Sequence, residues 1–185
     1  YRLFGGAMRE EVDYFYYLAQ GGVDFIQEQC LDGVEKGFAC FYIKVGIDVR
    51  AEAKILTTVR ETIGPERKIR IDTNEAWSVA EAVRILLDWN DKVGIDFCEA
   101  PVPIDPVENM IEVRRQVPVA LCANEGLWKP ADAMRVIKSR CADVLCFSSS
   151  WVGSLRRFHT LSHTAHMEGQ GICKHTHGEL GLTAA

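Results

Sequence analysis

Four ionisable side chains recur at a near-constant interval along this chain: Lys44, Asp72, Glu99 and Glu125, spaced by 28, 27 and 26 residues. Each ends a short apolar run, in YIK, IRID, DFCE and LCANE. Two further runs end on Ser148 or Ser150 and on His177. Carboxylates gathered from adjacent strands repel one another in a partly buried site. A hard divalent cation relieves that repulsion, and oxygen ligands with open positions suit Mg2+ better than zinc. The competing reading pairs each carboxylate with a base (Arg70, Lys44 or Lys129) in an ion network at the rim. For one carboxylate the two readings weigh equally. Three in consecutive repeats, with Lys44 on the strand before, favour the metal.

Lys44 stands among apolar residues in YIKVG. Beside a cation and away from water it could serve as a general base. The alternatives are a lysine whose stem snorkels to the surface, or a Schiff-base lysine of the kind barrel aldolases use. His177 lies in KHTHGELG and shares strand parity with His175. It reads equally as an acid/base and as a structural hydrogen-bonding residue. A zinc site of the H-x-H kind lacks partners, since His159, His163 and His166 fall on a predicted helix.

These residues need elements to hold them. Apolar runs predict strands at 10–17, 39–46, 68–74, 95–100, 119–125, 143–150 and 171–177. Three- and four-residue apolar spacings predict helices at 49–63, 78–92, 105–116, 129–140 and 154–168. Ser78 with Glu81 forms a capping box, and Pro130 is a first-turn proline. Alternating strands and helices imply a parallel α/β sheet, either open and doubly wound or closed as a (β/α) TIM-type barrel. An open sheet collects its chemistry at one crevice, whereas a barrel carries a polar residue from every strand to one rim. The rim pattern selects the barrel. Seven of eight βα units are legible, so residues 1–185 are expected to form one partial barrel domain lacking its eighth unit.

Composition narrows the functional classes. The chain has 185 residues, 21 basic against 26 acidic, a net charge of −5, and 48% apolar residues. Without clustered Lys/Arg, a nucleic-acid partner is not expected. No apolar run reaches the roughly 20 residues of a membrane span, so no membrane partner is expected either. The seven cysteines form no C-x2-C pair and sit mostly in strand-like runs. They read as buried free thiols of a reducing compartment, which makes the cytoplasm the expected location.

The strings FYIKVG, RIDTNEAW, FCEAPVP and LCANEG, followed by a histidine-bearing seventh strand, together resemble the enolase superfamily. They are most similar to its mandelate racemase/muconate lactonizing branch. The resemblance implies that Asp72, Glu99 and Glu125 ligate Mg2+. It implies that Lys44, matching the second lysine of a K-x-K motif, moves the proton α to a carboxylate, and that His177 is the opposing acid/base. Asn74 matches a polar residue beside the first ligand. Tyr42 stands where K-x-K has its first lysine, and Ser148 stands where the branch has an Asp or a second Lys. Tyr42, Asn74 and Ser148 are therefore expected to border the substrate. The family also carries an N-terminal capping domain, absent here, and its barrels often pair as homo-oligomers.

The expected reaction is Mg2+-dependent proton abstraction from a small-molecule carboxylate through an enediolate. Dehydration of a hydroxy acid, sugar acid or hydroxylated amino acid is the first expectation, and racemisation, epimerisation or cycloisomerisation the second. A barrel without catalytic activity is the alternative of another class. Trp77, Trp128 and Trp151 are expected at the mouth of the barrel, while Tyr14, Tyr16 and Tyr17 suit core packing as well as substrate contact.

Overall fold

The structure, a computed structural model, describes Gly6 and residues 10–175. His177 lies outside the described residues. Strands and helices alternate as β1 (Tyr16–Leu18), α1 (Val23–Glu35), β2 (Cys40–Lys44), α2 (Val49–Ile63), β3 (Lys68–Asp72), α3 (Val79–Val93) and β4 (Phe97–Glu99). They continue as α4 (Glu108–Gln116), β5 (Ala120–Ala123), α5 (Pro130–Ser139), β6 (Val144–Phe147), α6 (Leu155–Met167) and β7 (Gly171–Lys174). The seven strands form one sheet in sequence order, and every pairing is parallel. One cavity is bordered by both Tyr17 of β1 and Cys173 of β7. The sheet is therefore curled, as in a barrel.

Strand parity sorts the side chains onto two sides of this curl. Phe41, Ile43, Ile69, Ile71, Cys98, Leu121, Ala123, Leu145 and Phe147 face outward into a core shared with the helices. That core takes one stripe from each helix, such as Ala82, Ile85, Leu86, Trp89 and Val93 of α3. The alternate residues face inward, where Phe97, Cys122 and Cys146 make a smaller cluster with Ala120, Val144 and Cys173. All seven cysteines are free, and six are buried. Among the described residues, no helix is long and apolar enough to cross a membrane.

Local signals account for most helix starts. The Asp48 side chain accepts from the Arg50 and Ala51 amides, the Ser78–Glu81 capping box is formed, and Pro130 opens α5. The helix α1 has no such signal: Gly22 gives no side-chain cap, and Gly33 sits inside the helix. Gly33 is required by packing, because a Cβ there would lie 2.6 Å from the Phe41 ring and 2.9 Å from the Tyr16 ring. Gly33→Ala is expected to lower the melting temperature by a few degrees. Overpacking costs about 1–3 kcal/mol, against about 1 kcal/mol of helix propensity gained. Thermal unfolding followed by circular dichroism checks this, and an unchanged midpoint would show that the Phe41 ring can yield.

The first predicted strand requires correction. Only Tyr16–Leu18 is strand, whereas residues 10–14 are exposed, with Val12 at 71% and Tyr14 at 70%. The acidic run Glu10, Glu11 and Asp13 gives that stretch no face to bury. Tyr16 instead packs by Phe38 and Phe41, and its hydroxyl donates to Asp32 at 2.5 Å.

Candidate active site

Strand register places the central groups in one row. Lys44 pairs with Asp72 across β2 and β3, and Asp72 with Glu99 across β3 and β4. All three belong to the inward set and border a cavity of about 500 Å3. The Lys44 ammonium donates to Asp72 Oδ2 at 2.5 Å and to Asn74 Oδ1 at 2.6 Å. The Tyr42 hydroxyl lies 2.9 Å from Asp72 Oδ2 and 3.0 Å from Glu99 Oε2, so it bridges the two carboxylates. Burial, with Glu99 and Asp72 beside it, drives the Tyr42 phenol far above its ordinary value, so it keeps its proton and donates.

Glu125 comes just beyond the end of β5 and joins the group through Asn74, whose Nδ2 lies 3.4 Å from Glu125 Oε1. Asn74 thus links the lysine to the third carboxylate, and its own amide donates to Asp72 Oδ1. The backbone beneath is held in left-handed conformations at Asn74 (φ 47°), Glu75 (φ 63°) and Ala100 (φ 44°). Such conformations are costly for residues with a Cβ and persist where surrounding contacts enforce them. Here the Ala100 carbonyl accepts from the Thr73 hydroxyl at 2.6 Å and the Glu75 amide at 2.7 Å, lacing the ends of β3 and β4 together.

Of the bases proposed for an ion network, Arg70 is engaged elsewhere. It pairs with Asp96 at 2.7 Å and lies over the Phe97 ring. Lys44 remains as a charge partner, and it reaches Asp72. Burial, then the nearby charge of Asp72, pushes the Glu99 carboxyl up to about 8. Burial also raises Glu125, whose Oε2 is enclosed without a hydrogen-bond partner among the described residues. An orphaned carboxylate oxygen and a carboxyl that resists ionising both fit a site short of positive charge, and an oxygen-only donor set suits a hard divalent cation. Even so, among the described residues no group of three or more His, Cys, Asp or Glu side chains is arranged to hold a metal ion.

The other predicted residues divide. Ser148 is fully buried, lies 2.7 Å from the Ser150 hydroxyl, and is not among the residues bordering the cavity. Trp77 is buried edge-on against Trp89, so it is core rather than mouth. Trp128 and Trp151 follow the ends of β5 and β6 and lie tilted against each other at 4.5 Å between ring centres, and Trp151 continues onto the His175 ring, which borders the cavity, at 4.5 Å. Tyr17 borders the cavity. Phe15, Asn124 and Cys173, for which the sequence offers no functional signal, also line the cavity, as does His175, which shares strand parity with His177. Phe15 stacks on Tyr42 at 4.7 Å, and Asn124 is anchored by donating to the Cys146 carbonyl. Asn124 was legible by parity, being two residues after Cys122 in the same string. Phe15 falls within the predicted strand 10–17 with the parity of Tyr17, but its apolar ring carries no chemical signal.

Residues 25–185 match the family model described as enolase C-terminal domain-like. The chain is 28% identical to the N-succinyl-L-Arg/Lys racemase of Bacillus cereus over 91% of its own length and 46% of that protein. It is 29% identical to muconate cycloisomerase 1 of Rhodococcus opacus, over 84% of its own length and 42% of that protein. The chain therefore spans about half the length of the curated relatives it matches. Its fold superposes with a TM-score of 0.86 on the dipeptide epimerase of Enterococcus faecalis V583 complexed with Mg and the dipeptide L-Leu-L-Tyr. That likeness covers 94% of this chain and 48% of the epimerase, at 24% identity.

Proposed function

The chain belongs to the enolase C-terminal domain-like family, and from that membership we propose that it forms the catalytic barrel of a Mg2+-dependent isomerase. The reaction is abstraction and return of the proton α to the carboxylate of a small molecule. The observation that carries this reading is the row Lys44–Asp72–Glu99 on three neighbouring strands, with Glu125 tied to it through Asn74. Racemase, epimerase and cycloisomerase recur in the names of the relatives. That recurrence favours racemisation, epimerisation or cycloisomerisation over the dehydration expected first from the sequence.

Asp72, Glu99 and Glu125 would hold the ion. Mg2+ supplies a Lewis acid that offsets the charge developing on the substrate carboxylate as the α-proton leaves. The chain's own part is to place a base and exclude competing chemistry. Lys44 stands at the inner rim with its ammonium tied to Asp72 and Asn74, and, once free of its proton, it takes the α-proton. Tyr42 cannot act as a cation, so it does not pair with a substrate carboxylate as a lysine would. It fixes the two carboxylates instead. Phe15, Tyr17 and Phe97 give the cavity apolar walls. His175 lies on the β7 side of the same cavity, which makes it a second group for returning a proton, alongside the His177 role expected from the sequence.

The test is incubation in D2O with Mg2+ and a pool of dipeptides, N-acylamino acids and hydroxy acids, followed by proton NMR. Mg2+-dependent loss of an α-proton signal with an unchanged carbon skeleton is the expected result. A keto product would return the reaction to dehydration. Absence of exchange on every acid would favour a barrel without catalytic activity.

A further inference from the structure

The loop that follows Lys44 is held by a buried carboxylate that the reaction does not use. Glu52, in the first turn of α2, is only 8% exposed. Its Oε1 accepts from three successive backbone amides, Gly46 at 2.9 Å, Ile47 at 2.8 Å and Asp48 at 3.2 Å. Consecutive amides converging on one point form a nest for an anion, and here the anion is supplied from within the chain. Such charge-assisted bonds are stronger than neutral ones. They also offset part of the cost of burying the charge.

The loop is clamped from its other side as well. Gly46 has φ 112°, and a Cβ there would meet Ala76 Cβ at 2.9 Å and the Thr73 carbonyl at 3.1 Å. The Val45 amide donates to the Asp72 carbonyl at 2.8 Å. The turn after β2 is therefore pressed onto the turn after β3, which carries Asn74. Lys44 ends β2 just before the first of these turns, and its partner Asn74 stands on the second. Glu52 also borders a second cavity of about 140 Å3, which Lys44 borders too. Among the described residues no hydrogen bond reaches Glu52 Oε2, so the work of this side chain falls on Oε1.

We infer that Glu52 is a positioning residue for Lys44, gathering the Gly46–Asp48 amides so that the lysine is held against Asp72 and Asn74. The catalytic side of this inference rests on the proposed proton transfer, whereas the anchoring itself can be read without any substrate. Glu52→Gln keeps an acceptor at Oε1, and Glu52→Ala removes it. Misplacement of a reacting group by about an ångström can cost about 100-fold in rate. The Ala variant should accordingly lose roughly 10- to 100-fold in kcat with KM nearly unchanged, and the Gln variant should keep kcat within about threefold. Amide exchange at residues 46–48 should accelerate in the Ala variant only. Should the Ala variant not fold, Glu52→Asp takes its place, because it keeps the charge but falls a methylene short of the amides. Unchanged kcat in the Ala variant, or equal losses in Gln and Ala, would overturn the inference. If the unaltered protein proves to have no proton-exchange activity, the nitrogen-15 signal of the Lys44 side chain decides. A shifted signal in the Ala variant sustains the positioning role, and an unmoved one ends it.

Discussion

Lys44→Ala is expected to abolish exchange of the substrate α-proton, a loss of about 10²–10⁴-fold for removal of a general base. Lys44→Arg should fail as fully, because a guanidinium stays protonated and its planar fork does not reproduce a point donor. Both variants should fold. The Lys44 side chain is 37% exposed, so its ion pair with Asp72 is partly screened and adds little to stability. Asp72 keeps two other donors, the Tyr42 hydroxyl and the Asn74 amide. The check is NMR-detected deuterium uptake at the α-carbon, with melting temperature as the control for folding. Exchange at the unaltered rate in a folded Ala variant would remove Lys44 from the chemistry.

Stability in the absence of metal is expected to fall as pH rises from about 4.5 to about 8. Glu99 carries its carboxyl at about 8 in the folded chain, against an ordinary value of 4.5. Between those values the unfolded chain has released a proton that the folded chain still holds, so each step up in pH favours unfolding. Below the lower value both states are protonated, and above the upper one both are ionised, so the slope vanishes at each end. Burial raises Glu125 as well, which adds a contribution of the same sign. The total is on the order of a few kcal/mol, large beside the stability of a domain this size. Glu99→Gln should flatten the profile. Saturating Mg2+ should restore most of the loss at pH 8 through linkage, about 2.7 kcal/mol at one hundred times its dissociation constant. Melting curves from pH 5 to 8.5, with chelator and with Mg2+, provide the comparison. A profile that rises with pH in chelator would show that Glu99 ionises readily in the folded state.

The sequence carried the row of charged residues well because a parallel barrel makes position along the chain equivalent to position around the rim. Once each strand end was identified, period-two parity put Lys44, Asp72 and Glu99 on the inner side, and the register aligns them in one row. What escaped depends on contacts between distant segments. Trp77 follows a strand end, as a rim residue would, yet it turns back into the core against Trp89. The helix α1 carries Gly33 for the sake of two rings, Phe41 and Tyr16, and a propensity reading counts that glycine against it. Glu52 reads as an ordinary first-turn glutamate, and only the path of the loop after β2 turns it inward. Tyr42 was legible as a departure from K-x-K, but its bridge between Asp72 and Glu99 required the strands to be assembled.

Calorimetric titration with Mg2+ at pH 7 decides whether Asp72, Glu99 and Glu125 hold the ion as proposed. With Glu99 protonated up to about 8, ion binding must displace its proton. One ion per chain is expected, with proton release seen as a dependence of the measured heat on the ionisation enthalpy of the buffer, and loss of both in Glu99→Gln. Binding that is absent in the unaltered protein, or equally strong in Glu99→Gln with no proton released, would remove the three carboxylates as a Mg2+ site.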